Sequence, residues 1–122
     1  MTILKDFQKA ITRLDEVLGL EKTDIVRDSA IKRFELCFDL AWKSIRIHSL
    51  NQGVECNSPR ECFKTAFQLA LIDYDERWLK MIDDRNLTTH LYKEESAEQV
   101  YTRLPEYTEM FKKLLTKLQT ED

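Results

Sequence analysis

The chain has 122 residues, 34% of them charged, with two glycines, two prolines and a formal net charge of −3. That length gives one domain, here residues 1–122, with room for a real hydrophobic core, and so little Gly and Pro favours long helices with few tight turns. No apolar run approaches the ~20 residues of a membrane span, the N-terminus lacks a signal-peptide core, and the acidic balance excludes a protein that grips nucleic acid by bulk charge, so a soluble, cytoplasmic protein is expected.

The first helix is expected from about Ile3 to Leu20, where Leu4, Phe7, Ile11, Leu14 and Leu18 recur three and four residues apart. Thr23 or Asp24 can cap a second helix that continues to about Leu50. Its apolar set (Val26, Ala30, Phe34, Cys37, Phe38, Ala41, Trp42 and Ile45) is wider than one stripe, which makes this helix central. Asn51 to Asn57, with Gly53, reads as a loop. Ser58-Pro59-Arg60-Glu61 then starts a third helix: Ser58 caps, Pro59 suits the first turn and Glu61 completes a capping box. That helix is expected to bury Phe63, Ala66, Phe67, Ala70 and Leu71. Asp73 or Asp75 caps a fourth helix with Trp78, Leu79 and Ile82 facing inward and Arg85 on its last turns. Leu91 to Glu95 is a turn, and Ser96 with Gln99 makes a second capping box. The seam Val100, Leu104, Tyr107, Phe111, Leu114 and Leu118 keeps its phase through Pro105, so one helix kinked there is expected. The fold class is all-α, an antiparallel bundle of about five helices.

Three cysteines, an odd number, fit reduced thiols better than a disulfide framework, and Cys37 falls on the core face of the second helix. Cys56 and Cys62, with His48 upstream, match no common zinc spacing, so no metal site and no cofactor are expected. The second helix leans basic through Arg27, Lys32, Arg33, Lys43 and Arg46. The segment from Asp73 to Glu98 leans acidic, so any contact with RNA must be local.

The richest chemistry lies in Asp84-Arg85-Asn86-Leu87-Thr88-Thr89-His90-Leu91-Tyr92. An imidazole moves protons near neutral pH, and a guanidinium holds a phosphate through a planar fork of donors. On a regular helix Arg85 and His90 stand roughly 140° apart, which suits a surface arginine and a histidine capping the last carbonyls. If the helix gives way at the β-branched Thr88 and Thr89, His90 and Tyr92 can turn back toward Arg85.

The Arg85-x4-His90-x-Tyr92 spacing resembles the signature of the HEPN superfamily, in particular HepT-like toxins and nucleotidyltransferase substrate-binding proteins. Phe34-Glu35 followed by Trp42-Lys43, and Pro59-Arg60-Glu61, resemble further segments of that family, so the likeness covers nearly the whole chain. The resemblance implies a homodimer whose two motif copies face each other across a cleft. It implies an endoribonuclease that needs no metal, with His90 as general base on a ribose 2′-hydroxyl, Arg85 stabilising the phosphorane and Asn86 in support. The 2′-hydroxyl restricts such an enzyme to RNA and excludes DNA. It also implies a toxin–antitoxin pair with an adjacently encoded minimal nucleotidyltransferase that silences the toxin by transferring AMP to Tyr92. The alternatives are a non-catalytic substrate-binding subunit of a two-component nucleotidyltransferase and a structural helical adaptor.

Overall fold

The computed structural model describes residues 2–90 and 93–121. Among them are five α-helices and one short 3-10 turn, and no strand. Helix α1 spans Thr2–Leu18 and buries Leu4, Phe7, Ala10, Ile11, Leu14 and Val17 on one stripe. It ends just before Gly19, whose N–H bonds back to the carbonyls of Asp15 and Glu16.

Helix α2 spans Asp24–Asn51, capped by the Thr23 hydroxyl, which accepts from the Val26 N–H at 3.1 Å. At its far end the Gly53 N–H bonds to Leu50 and the Val54 N–H to Ser49. Gly53 sits at φ +78°, the left-handed conformation that such a helix stop requires.

Helix α3, Pro59–Gln68, begins at the expected box. Ser58 Oγ accepts from the Glu61 N–H at 3.1 Å. Glu61 reaches past the cap residue to the Asn57 N–H at 2.8 Å. Its end repeats the stop of α2, with Leu71 N–H bonded to Ala66 and Ala70 N–H to Phe67. Here the left-handed position at φ 60° is occupied by Ala70. Ala70 is consequently exposed, as is Phe67, while Leu71 is buried; the expected inward face was too wide because the helix stops at Gln68.

Helix α4, Arg77–Leu87, is entered through Asp75, whose carboxylate accepts the Arg77 N–H at 2.9 Å and also takes the Arg77 guanidinium. Trp78, Met81, Ile82 and Asp84 are its buried residues, whereas Leu79 faces solvent. After the 3-10 turn Thr88–His90, α5 runs Glu94–Glu121 without a break at Pro105. It starts before the expected Ser96 cap, because the Lys93 carbonyl already accepts from the N–H groups of Ser96 and Ala97.

Helix α2 packs against α1, α3 and α5, and α1 also packs on α5. Aromatic rings run through this core. Phe34 of α2 stacks on Tyr107 of α5 at 5.5 Å, and Phe7 of α1 meets Phe111 edge-on at 6.0 Å. Phe38, Phe63 and Trp78 continue the contact into α3 and α4. The buried Arg27 guanidinium, bonded to Asp28, Glu94 and Glu98, ties the start of α2 to the start of α5.

Two cysteines overturn the expectation of reduced thiols. Cys56 and Cys62 are disulfide-bonded, their Cα atoms 5.1 Å apart. The cap of α3 folds the chain back so that the segment before it meets the first helical turn, within ordinary bridging distance. Cys37 is the free thiol and is buried, as expected. No helix among the described residues is long and apolar enough to cross a membrane.

A non-glycine residue in the left-handed region costs about 1–2 kcal/mol. Ala70→Gly is therefore expected to raise unfolding stability by about 1 kcal/mol, less the flexibility it adds to the unfolded chain, as a higher urea midpoint at unchanged slope.

Candidate active site

Two carboxylates on α2, Glu35 and Asp39, are four residues apart and so share one helix face. Arg85, on the last turn of α4, reaches across to both. Its Nη1 lies 3.2 Å from Glu35 Oε2, and its Nε and Nη2 donate to the two Asp39 oxygens at 3.4 Å each. Nη1 also donates to Thr88 Oγ1 at 3.3 Å, while the Thr88 hydroxyl donates to the Arg85 carbonyl at 2.7 Å. Arg85 is thus a half-buried, partnered cation rather than a solvated surface charge.

The fork is held loosely. An arginine has five N–H donors, and the three hydrogen bonds made here are long. A phosphate, accepting two parallel charge-assisted bonds, can compete for it.

Arg85 opens onto a groove of about 420 Å³ between α1, α2 and α4, also lined by Ala10, Arg13, Lys32, Arg33 and Leu36. Four cationic side chains there face two carboxylates, although the whole chain is net negative. The local sign of charge is therefore the reverse of that expected from the acidic segment around the motif. Arg33 Nη1 donates to the Arg13 carbonyl at 2.6 Å, which pins that wall.

The residue before Arg85 explains its aim. Asp84 is 1% exposed and receives both the Nε and Nη2 of Arg103 at 2.7 and 2.8 Å. It also accepts the Tyr107 hydroxyl at 2.6 Å. Burial and the Asp84 bond push the Tyr107 hydroxyl well above its ordinary value, and Asp84 likewise raises Arg103. Asp84 thus fixes α4 against α5, and the next residue, turned about 100° further round the helix, faces α2.

The end of α4 changes pitch where the two threonines stand. Thr88 and Thr89 hydroxyls bond to carbonyls three residues back, on Arg85 and Asn86, and the backbone tightens into a 3-10 turn. Asn86 is exposed, and His90 is exposed at the end of that turn. Arg85 and His90 thus come from one short segment, the first half-buried against α2 and the second on the exposed surface. Tyr92, with Leu91, lies outside the described residues. Among the described residues no three His, Cys, Asp or Glu side chains converge on a metal position, and the Cys56 and Cys62 sulfurs are bonded to each other. Sequence reasoning did not assign roles to Glu35, Asp39 or Arg13, and it gave Thr88 only the part of loosening the helix end, not that of a partner to Arg85. The signal available was the four-residue spacing of Glu35 and Asp39 on a helix that leans basic.

Comparison with known proteins places the fold that carries this arrangement. A family model described as nucleotidyltransferase substrate binding protein like matches residues 2–120. The chain belongs to that family. A crystal structure of a protein from Thermus thermophilus superposes with a TM-score of 0.86 at 34% identity, covering 92% of this chain and 98% of that one. The Haemophilus influenzae protein HI0074, described as having the fold of a substrate binding domain of a nucleotidyltransferase, superposes with a TM-score of 0.84. At 20% identity over 95% of this chain and 98% of that one, this likeness shows the helical fold alone. Among curated proteins, a probable ribonuclease HepT of Haemophilus influenzae is 25% identical over 92 residues. That match takes in 68% of this chain and 63% of the HepT protein's length.

Removing one partner of a buried charge pair leaves the other uncompensated, at a cost of about 3–5 kcal/mol. Asp84→Ala is expected to lose stability on that scale, at its lower end because Arg103 is partly exposed, as read from urea unfolding. Glu35→Gln, on the half-open side of the arginine, should lose less than about 1 kcal/mol.

Proposed function

We propose that this chain is an endoribonuclease of the HepT type, working as the toxin of a pair with a minimal nucleotidyltransferase. The observation that carries the reading is the loosely held Arg85 fork in a locally cationic groove, five residues before an exposed histidine. In the reaction His90 takes the proton from a ribose 2′-hydroxyl, and that oxygen attacks the adjacent phosphorus. The bond to the 5′-oxygen of the next nucleotide breaks, and this leaving oxygen takes up a proton. Arg85 stabilises the charge on the equatorial phosphorane oxygens, and exposed Asn86 orients the phosphate. The products are a 2′,3′-cyclic phosphate and a 5′-hydroxyl. His90 and Arg85 supply this chemistry without a metal.

One half-site is sparse, and a homodimer completes it. The face of α2 opposite the core supports this. Ile25, Leu36, Leu40, Ile47 and Leu50 fall within a strip of about 80° at 100° per residue. Ile25, Leu36, Ile47 and Leu50 are exposed. Leu36 also borders the Arg85 groove, so a two-fold contact along this strip brings two grooves together.

The expected result is cleavage of single-stranded RNA in EDTA, leaving cyclic phosphate ends, and at least hundredfold loss with Arg85→Ala or His90→Ala, about the size of a removed acid–base or oxyanion group. Leu36→Glu, already exposed, should keep the fold, sediment as a monomer and lose cleavage. Unchanged cleavage in the Arg85 and His90 variants defeats the reading.

The second reading is a substrate-binding subunit for a nucleotidyltransferase without nuclease activity of its own. What favours it is that Arg85 already has two carboxylate partners. Both readings have a nucleotidyltransferase as partner, and in the first Tyr92 accepts AMP from it. An adenylyl phosphodiester beside Arg85 competes with substrate for the guanidinium. Co-expression with the adjacently encoded nucleotidyltransferase should add the mass of AMP to the intact chain. Tyr92→Phe should abolish that addition; equal modification of the variant rules Tyr92 out.

A further inference from the structure

A second groove, of about 320 Å³, opens between the outer face of α3 and the first turn of α4, and it shares no residue with the Arg85 groove. Three large side chains on its walls stand in solvent: Phe67 is 47% exposed, Tyr74 73% and Leu79 43%. Trp78 lines it from the buried side. The Phe67 and Tyr74 rings meet edge to face, 5.8 Å between centroids, and the Tyr74 hydroxyl donates to Glu76 at 3.2 Å, which steadies the outer ring.

The charges around the groove are divided. Arg60 and Lys64, four apart and so on the α3 face that carries Phe67, form one rim. Neither has an ion-pair partner among the described residues. Across the groove Asp75 is engaged by Arg77 and Glu76 by Tyr74, and Asp73 completes the acidic side. A ligand that suits both rims is flat and apolar on its faces, carries an anion at one end and offers N–H donors at the other.

We propose that this groove binds one nucleotide unit, its base against Phe67 and Tyr74 and its phosphate on Arg60 and Lys64. Base–aromatic stacking beside a cationic track is the recurrent way proteins hold unpaired nucleotides. The volume lies at the small end of ligand sites, about 300–1,000 Å³, and three exposed side chains fall short of the roughly 800 Å² per partner of a stable protein interface. The acidic rim turns the phosphate toward α3 and accepts from the amino edge of guanine, cytosine or adenine, an edge that uracil lacks. The unit can come from a free mononucleotide or from a single-stranded RNA, and the site stands whether or not Arg85 and His90 cleave.

The test uses the full chain with His90→Ala, so that no strand is cut during the measurement. GMP, UMP, ribose 5-phosphate and a short single-stranded RNA are titrated separately, and backbone amide shifts are followed by NMR. Saturable shifts centred on Phe67 to Leu79 are expected with GMP, weaker ones with UMP and the weakest with ribose 5-phosphate. Tyr74→Ala and Lys64→Ala, both at exposed positions, are each expected to weaken binding about tenfold. Binding of GMP identifies a free nucleotide as a sufficient ligand. Binding of RNA alone, with the same dependence on Tyr74 and Lys64, identifies a strand. No saturable shift with any probe, or binding indifferent to both substitutions, overturns the proposal. Because cleavage is switched off throughout, neither result depends on the nuclease reading.

Discussion

A carboxylate with 1% exposure stays charged inside a helical core only when its charge is answered, and Asp84 is answered twice, by a bidentate Arg103 and by the Tyr107 hydroxyl. Tyr107 in turn stacks on Phe34 in the centre of the bundle. One buried polar group therefore links the orientation of α4 to the packing of α2 and α5. The position of Arg85 follows from it: with Asp84 committed to α5, the next side chain has only the α2 side to face. Glu35 and Asp39 meet it there without burying it.

Helix α2 carries two incompatible-looking demands. Phe34, Cys37, Phe38, Ala41 and Ile45 fill the core, yet the opposite side also carries large apolar residues among its lysines, with Leu36 and Ile47 in solvent. Here the second side borders the Arg85 groove through Leu36, so the same helix that fixes the interior also builds one wall of the site.

Much of the fold was legible because it rests on local rules. Thr23 and Ser58 cap where their hydroxyls can reach the third N–H of the following turn, and the seam from Val100 to Leu118 is buried through Pro105 as its phase implies. Errors came where tertiary packing overrides local pattern. Phe67 and Leu79 have core chemistry but face out, because α3 ends at Gln68 and α4 turns Trp78 and Met81 inward instead. Cysteine parity pointed the wrong way for Cys56 and Cys62, whose meeting depends on how the α3 cap folds the chain. Of the site, Arg85 and His90 were visible as chemistry. The carboxylates of Glu35 and Asp39 were not, because a contact across 46 residues between α4 and α2 has no local signature.

The buried Cys37 adds a consequence for the motions of the bundle. Burial pushes its thiol up to about 12, and the other two sulfurs are joined to each other. An alkylating reagent thus finds no ready thiolate in the closed fold. Cys37 becomes reactive only when the middle of α2 swings away from its neighbours, which makes its slow chemistry a built-in clock for the rarest and largest opening of the molecule.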